Sequence, residues 1–189
     1  MRKIILGMSV SLDGFIEGPD REIDWHLVDE EVHSHFNQKL KAMSAFLSGR
    51  ITHELMAAVW PTARADPQCT PAMAEFAGIW LDMPKIMFSK TVEHADWNTT
   101  VVREVDVEQI RALKSGPGGD LSVGGADLAA TFRRLDLIDE YHVYVHPVLI
   151  GRGKRLFEDT DTLTHLRLAG TQTFGNGVVL MRYERPDAS

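Results

Sequence analysis

Apolar side chains occupy nearly every position of residues 3–10 (Lys3, Ile4, Ile5, Leu6, Gly7, Met8, Ser9, Val10), the pattern of a strand covered on both faces. Residues 12–24 contain Gly14, Gly18, Pro19 and several acids, and predict a loop. Val32, Phe36, Leu40 and Met43 recur at helical spacing, so a helix is expected over 29–43. Strand 44–48 follows, then a helix over 52–59 that stops at Pro61. Residues 61–71 hold three prolines and read as irregular, before a helix around 72–81 and strand 85–88. Asp106 and Gln109 have the spacing of a capping box, predicting a helix to about Lys114. Residues 115–119 form a glycine-rich loop before strand 121–123, and Leu128, Phe132 and Leu135 give the next helix a buried stripe.

The last third changes period. Tyr141, Val143 and Val145 alternate with His142, Tyr144 and His146, so 140–150 reads as a strand. Residues 166–174 and 178–183, joined through Gly175, Asn176 and Gly177, read as a closing hairpin. Strands alternating with helices and ending in antiparallel strands predict an α/β fold: a mixed, mostly parallel central sheet flanked by helices, with a C-terminal antiparallel hairpin. No linker or internal repeat interrupts the pattern, so one domain is expected over 1–186, with 187–189 as a tail.

Three of these strands run straight into turns suited to phosphate. Strand 44–48 meets Gly49, Arg50, Ile51 and Thr52; strand 85–88 meets Ser89, Lys90 and Thr91; strand 121–123 meets Gly124 and Gly125. Ligands of open α/β sheets bind beyond the carboxyl ends of the strands. Glycine lets the backbone approach a ligand closely, and helix N-termini offer unpaired N–H groups. Together the turns predict a site for a nucleotide with several phosphates. Arg50 has the planar fork that grips phosphate bidentately, or it pairs with Glu54 one helical turn on. The Ser89–Thr91 segment is either a plain turn or a two-hydroxyl, one-ammonium anion site. Gly124 and Gly125 are either a packing turn or a pyrophosphate cradle.

Composition narrows the function. With 189 residues, 44% hydrophobic and 25% charged, the chain can bury a substantial core. Its net charge of −7 leaves no basic surplus for a nucleic-acid backbone. Cys69 is the only cysteine, so an internal disulfide and a cysteine-rich zinc site are excluded. No run approaches a membrane span, and a cytoplasmic protein is expected. His33 and His35 do not share a helix face, and His142 and His146 are far apart along a strand, so no metal is expected. Gly151, Arg152, Gly153 and Lys154 hint at a phosphate loop, but Val148 and Arg155 break that motif.

In order, Ser11-Leu12-Asp13-Gly14-Phe15-Ile16, Asp24-Trp25, Gly49-Arg50-x-Thr52-x-Glu54, Ser89-Lys90-Thr91, Gly124-Gly125, Leu137-Ile138-Asp139-Glu140 and Pro147-Val148-Leu149-Ile150-Gly151-x-Gly153 resemble the dihydrofolate-reductase-like superfamily. The set is similar to the reductase domain of bacterial riboflavin biosynthesis and its stand-alone relatives, over residues 2–184. The resemblance implies NADPH as cofactor, a homodimer, and hydride transfer to a C=N or C=O of a small pterin- or pyrimidine-like substrate. By the same match, Arg50 and Lys90 meet the 2′-phosphate, and Gly49, Thr52, Ser89 and Thr91 complete the cofactor turns. Gly124 and Gly125 lie under the pyrophosphate. Asp13, which the related reductases keep near the substrate, is the first catalytic candidate. Glu30, five residues after Trp25, is the second. Trp25, Gly151 and Gly153 fall on the substrate side. The zinc deaminase portion of the bifunctional riboflavin enzyme has no counterpart here, and the Ser11–Gly14 and Gly151–Gly153 motifs are not typical of true dihydrofolate reductases. The alternatives are a non-catalytic NADPH-binding module and a true dihydrofolate reductase.

Overall fold

Side-chain alternation along the first strand sets the two faces of the molecule. In the computed structural model, which describes residues 1–160 and 163–186, β1 (Ile4–Ser11) sends Ile4, Leu6 and Val10 into the main core. The intervening positions are Ile5, Gly7 and Ser9. The same alternation recurs in β3 (Met43–Gly49) and β6 (Asp120–Gly124): Ala45, Leu47, Leu121 and Val123 are buried in that core. Register carries the pattern across the sheet. Leu47, Val123, Leu6 and Tyr141 form one row, while Phe46, Ser122 and Ile5 form the next. One face is therefore built from large aliphatic residues, and the other is small and polar at its centre.

The strands β4 (Lys85–Phe88), β5 (Thr99–Val102), β7 (Glu140–His146), β9 (Arg167–Thr173) and β10 (Val179–Glu184) complete an eight-stranded sheet of order β5-β4-β3-β6-β1-β7-β10-β9. Every pair from β5 to β7 is parallel, and β10 is antiparallel to both β7 and β9. The expected mixed sheet with a C-terminal antiparallel hairpin is thus observed.

Helices α4 (Val107–Ser115) and α5 (Ala126–Arg134) cover the aliphatic face through Ile110, Leu128, Ala129 and Phe132. Fully burying a side chain such as Phe132 or Leu6 contributes about 1.5–3 kcal/mol. The other face is covered by α1 (Glu30–Lys41), α2 (Arg50–Val59) and α3 (Pro71–Asp82). Asn37 joins α1 to α3, its Nδ2 donating to the Ala72 carbonyl at 2.8 Å and to Glu75 at 2.7 Å. Among the described residues no helix is long and apolar enough to cross a membrane.

Five details differ from the sequence reading. The strand expected over 140–150 ends at His146, because Pro147 has no N–H for the ladder. Helix α2 begins at Arg50 rather than 52, directly on the strand end. Within the stretch read as a loop, β2 (Phe15–Glu17) pairs with β8 (Lys154–Arg155) as a two-stranded ribbon. Strand β5, only four residues of β-branched side chains, was not anticipated, and Ala63–Ala65 forms a 3-10 turn inside the irregular segment. Elements this short carry too little periodicity to register. The tail at 187–189 lies outside the described residues.

Candidate active site

Helix capping distinguishes the elements around the carboxyl ends of the parallel strands. Helices α1, α3 and α4 are each closed by a side chain: Asp29 accepts from Val32 N, Thr70 from Met73 N and Asp106 from Gln109 N. Helices α2 and α5 have Gly49 and Gly125 at their N-cap positions, neither of which supplies a side-chain cap. Their first N–H groups lack that partner and carry the positive ends of the helix dipoles. Both termini open on one cleft of about 670 Å³.

The residues predicted for a cofactor meet there. Gly49, Arg50, Thr52, Ser89, Lys90, Thr91, Gly124 and Gly125 all line this cleft. Gly125 has φ +87°, a conformation L side chains rarely adopt, and an added Cβ would overlap Thr52 Oγ1. The β6–α5 turn and the first turn of α2 are therefore pressed together. Ser89 is buried, and its Oγ accepts from Thr91 N (3.3 Å) and Val92 N (3.1 Å), a local turn that holds Lys90 outward. Among the described residues the Lys90 ammonium has no ion-pair partner. Arg50 pairs with Glu54, Nη1 lying 3.0 and 2.8 Å from its two carboxylate oxygens. That pair is exposed and of the i,i+4 kind, so an anion in the cleft can compete for the guanidinium at little cost.

Sequence reasoning missed several cleft residues. Arg21 and Lys154 bring the cationic lining to Arg21, Arg50, Lys90 and Lys154, against Glu17 and Asp127, in a chain of net charge −7. Lys154 is tethered to Asp127 at 2.7 Å. Met8, Ile16, Ile23 and His26 also line the cleft. Arg103 lines an adjoining space that also includes Ser89 and Lys90, and its Nη1 donates to the Lys90 carbonyl at 3.0 Å. Apart from Lys154, which ends the broken phosphate-loop pattern, and Ile16, which ends the Ser11–Ile16 motif, no local motif flags these residues, because the ribbon and β5 bring them in from distant segments.

The predicted substrate-side residues do not line this cleft. Asp13 works as a loop clamp. It accepts from Ser11 Oγ (2.6 Å), Gly151 N (2.8 Å) and Ile150 N (3.3 Å), and the Ser11 hydroxyl, aided by those amides, holds its carboxyl below the usual carboxylate range. Gly151 has φ +77°, and a Cβ on Gly153 would overlap the Glu17 carbonyl, so both glycines serve the path of the loop that leads into β8. Glu30 reaches the first turn of α3, accepting from Ala72 N at 3.1 Å.

Trp25 stands edge-on to His26 and His146, whose rings stack with centroids 5.1 Å apart. His146 is fully buried, and its Nδ1 accepts from Leu27 N at 3.0 Å. Burial pushes its pKa down to about 4, and burial also lowers His26. The other histidines considered for metal point apart: His33 packs on Trp60 and Phe76, and His35 on Tyr144 and Phe174.

The RibD C-terminal domain family matches residues 2–180. The chain belongs to this family. It is 34% identical over 183 residues to YyaP of Bacillus subtilis strain 168, covering 96% of this chain and 94% of that one. It is 30% identical to YwjB of the same organism, covering 95% and 96% of the two chains. Among solved structures, a Shewanella sp. PV-4 protein assigned to riboflavin biosynthesis superposes with a TM-score of 0.74 at 20% identity, covering 98% and 99% of the two chains. The diaminohydroxyphosphoribosylaminopyrimidine deaminase/5-amino-6-(5-phosphoribosylamino)uracil reductase of Thermotoga maritima matches with a TM-score of 0.68 at 16% identity. The match takes in 97% of this chain and 56% of that longer enzyme. A pyrimidine reductase-like protein of Corynebacterium diphtheriae matches at a TM-score of 0.62 and 14% identity, covering 97% and 91%. At these identities the structural matches establish the fold.

Proposed function

We propose that this RibD C-terminal domain family member is an NADPH-dependent reductase acting on a C=N or C=O of a small heterocyclic substrate. One observation carries the reading: two helix N-termini without side-chain caps and the Ser89–Lys90 turn converge on a single cationic cleft. The cofactor's diphosphate would lie across the Gly49 and Gly124–Gly125 turns, with Thr52 between them. Arg50 and Lys90 would hold the extra phosphate that separates NADPH from NADH. Met8, Ile16 and His26 would line the nicotinamide end. When bound, the cofactor supplies a hydride from its dihydronicotinamide ring. The chain binds and orients it, and the β2–β8 ribbon, held through the Asp13 clamp, screens the cleft from water. Asp13 is thus proposed as a positioning residue, since its carboxylate oxygens are already engaged.

The test is titration of the purified protein with NADPH and NADH, followed by tryptophan fluorescence. NADPH-selective binding that weakens in Arg50→Ala and Lys90→Ala is expected. Equal affinity for the two nucleotides would refute the assignment of the phosphate clamp. NADPH bound but never consumed with any carbonyl or imine substrate would identify a binding module instead.

A further inference from the structure

The cationic cleft holds one charge that the proposed cofactor turns leave unused. Of the lysines and arginines that line it, Arg50 pairs with Glu54 and Lys154 with Asp127. Lys90 and Arg21 remain. Lys90 stands on the Ser89 turn, whereas Arg21 comes from another segment, the turn that follows β2. Glu17, Asp20, Glu22 and Asp24 flank Arg21 in the sequence. Even so, among the described residues the Arg21 side chain makes no ion pair and no hydrogen bond.

The turn that carries Arg21 is tightly built. Gly18 N donates to the Glu22 carbonyl at 2.9 Å, Arg21 N to the Gly18 carbonyl at 3.1 Å, and Asp20 N to Glu22 Oε2 at 2.7 Å. The Glu22 carboxylate is thus spent on the backbone of its own turn, and a Cβ on Gly18 would overlap it. The residues that follow are anchored too. Trp25 Nε1 donates to the Glu22 carbonyl at 3.2 Å, Leu27 N donates to His146 Nδ1 at 3.0 Å, and the Leu27 carbonyl accepts from Asn176 Nδ2 at 2.9 Å. Within this turn Arg21 has φ +65°, a conformation that Gly, Asn and Asp adopt far more readily. The backbone therefore does not call for arginine at this position.

We infer that Arg21 is a diphosphate-binding residue: its guanidinium pairs with the diphosphate received by the helix N-termini at Gly49 and Gly125. The inference rests on reading this cleft as the cofactor cleft. A helix N-terminus carries about half an elementary charge, so two of them fall short of a diphosphate's double negative charge. Arg50 and Lys90 are engaged on the extra phosphate in that reading, and Lys154 is tied to Asp127. Arg21 supplies a whole, permanent charge, and its planar fork offers two parallel donors to phosphate oxygens.

The test titrates NADPH, NADH and adenosine 2′-monophosphate calorimetrically into the full-length protein and into Arg21→Asn, which suits the backbone and removes the charge. Loss of a charge-assisted hydrogen bond should weaken NADPH and NADH alike, by about ten-fold. Adenosine 2′-monophosphate has the 2′-phosphate and no diphosphate, and should bind both proteins equally. Lys90→Ala should do the converse, weakening NADPH and the monophosphate while sparing NADH. Arg21→Lys should recover part of the affinity, and Arg21→Asn should melt no lower than the wild type. Nucleotide affinities unchanged in Arg21→Asn, or a loss confined to NADPH and the monophosphate, would overturn the proposal. So would a loss in Arg21→Lys as large as in Arg21→Asn, together with a lowered melting temperature. Inorganic pyrophosphate, titrated alongside, separates the two readings. NADPH binding that does not depend on Arg21 overturns this proposal alone. Pyrophosphate binding that weakens in Arg21→Asn, without NADPH binding, supports Arg21 and overturns the cofactor reading. Binding of neither by the wild type overturns both.

Discussion

Replacing Gly125 with alanine probes the joint between the two helix N-termini. Two costs add in the native state. The first is conformational: at φ +87° an L residue is strained by about 1–2 kcal/mol wherever the side chain points. The second is steric: the new methyl overlaps Thr52 Oγ1 and stands 3.5 Å from Thr52 Cβ. Relieving such overpacking typically costs about 1–3 kcal/mol through a shift of α2 or of the turn. The sum, roughly 2–5 kcal/mol, is readable by urea unfolding followed by circular dichroism. The second cost depends on the hydroxyl and the first does not. In a Thr52→Ala background the penalty of Gly125→Ala should therefore fall to about 1–2 kcal/mol, leaving a coupling of about 1–3 kcal/mol. NADPH affinity should fall in Gly125→Ala and stay low in the double variant, because the methyl still stands where the backbone meets the diphosphate. A coupling below about 0.5 kcal/mol would show that close packing of the two turns is not what requires glycine here.

Other perturbations follow from the same geometry. Glu54→Gln should free Arg50 and tighten NADPH about two- to five-fold at low salt, with NADH unchanged, as checked by fluorescence titration. Asp13→Ala should loosen the Gly151 loop, raising the proteolysis rate within 147–155 and weakening NADPH without changing its preference over NADH. Because the Asp13 pKa is lowered, its stabilising effect is present above the ordinary carboxylate pKa and is lost as pH falls through its folded value. The buried His146 has its pKa lowered to about 4 from 6.5, so its neutral form stabilises the fold above pH 6.5. That contribution is lost as pH falls toward 4, on the order of 3 kcal/mol. His146→Phe should reduce the acid slope of a pH-dependent melt, but not abolish it, because burial also lowers His26, His33, His35, His53 and His142. Lys85 has its pKa lowered to about 8 from 10.5, so the unfolded chain binds more protons between those values and stability should rise with pH across that window. Lys85→Met should remove that rise.

Much of the architecture was legible in the chain itself. The strand at 3–10, the helix through Val32, Phe36 and Leu40, and the closing hairpin depend on periodicity, a local property that burial only reinforces. The three strand-end turns were equally legible, because glycine, serine and cationic residues at strand ends are local signals, and the parallel order β4-β3-β6 brings those ends together. The long-range contacts of Asp13, Glu30 and Trp25 were not legible. Each carries a group suited to substrate, but one of its contacts comes from far along the chain: Gly151 for Asp13, Ala72 for Glu30 and His146 for Trp25. The burial of Lys85 was hidden for the same reason. Lysine at the start of β4 looks like a solvated strand end until α3 and the β4–β5 connection fold over it. Periodicity and turn chemistry act between near neighbours, so they can be read along a chain. A cavity, an ion without a partner, or a carboxylate already occupied depends on which distant segments the fold brings to the same place.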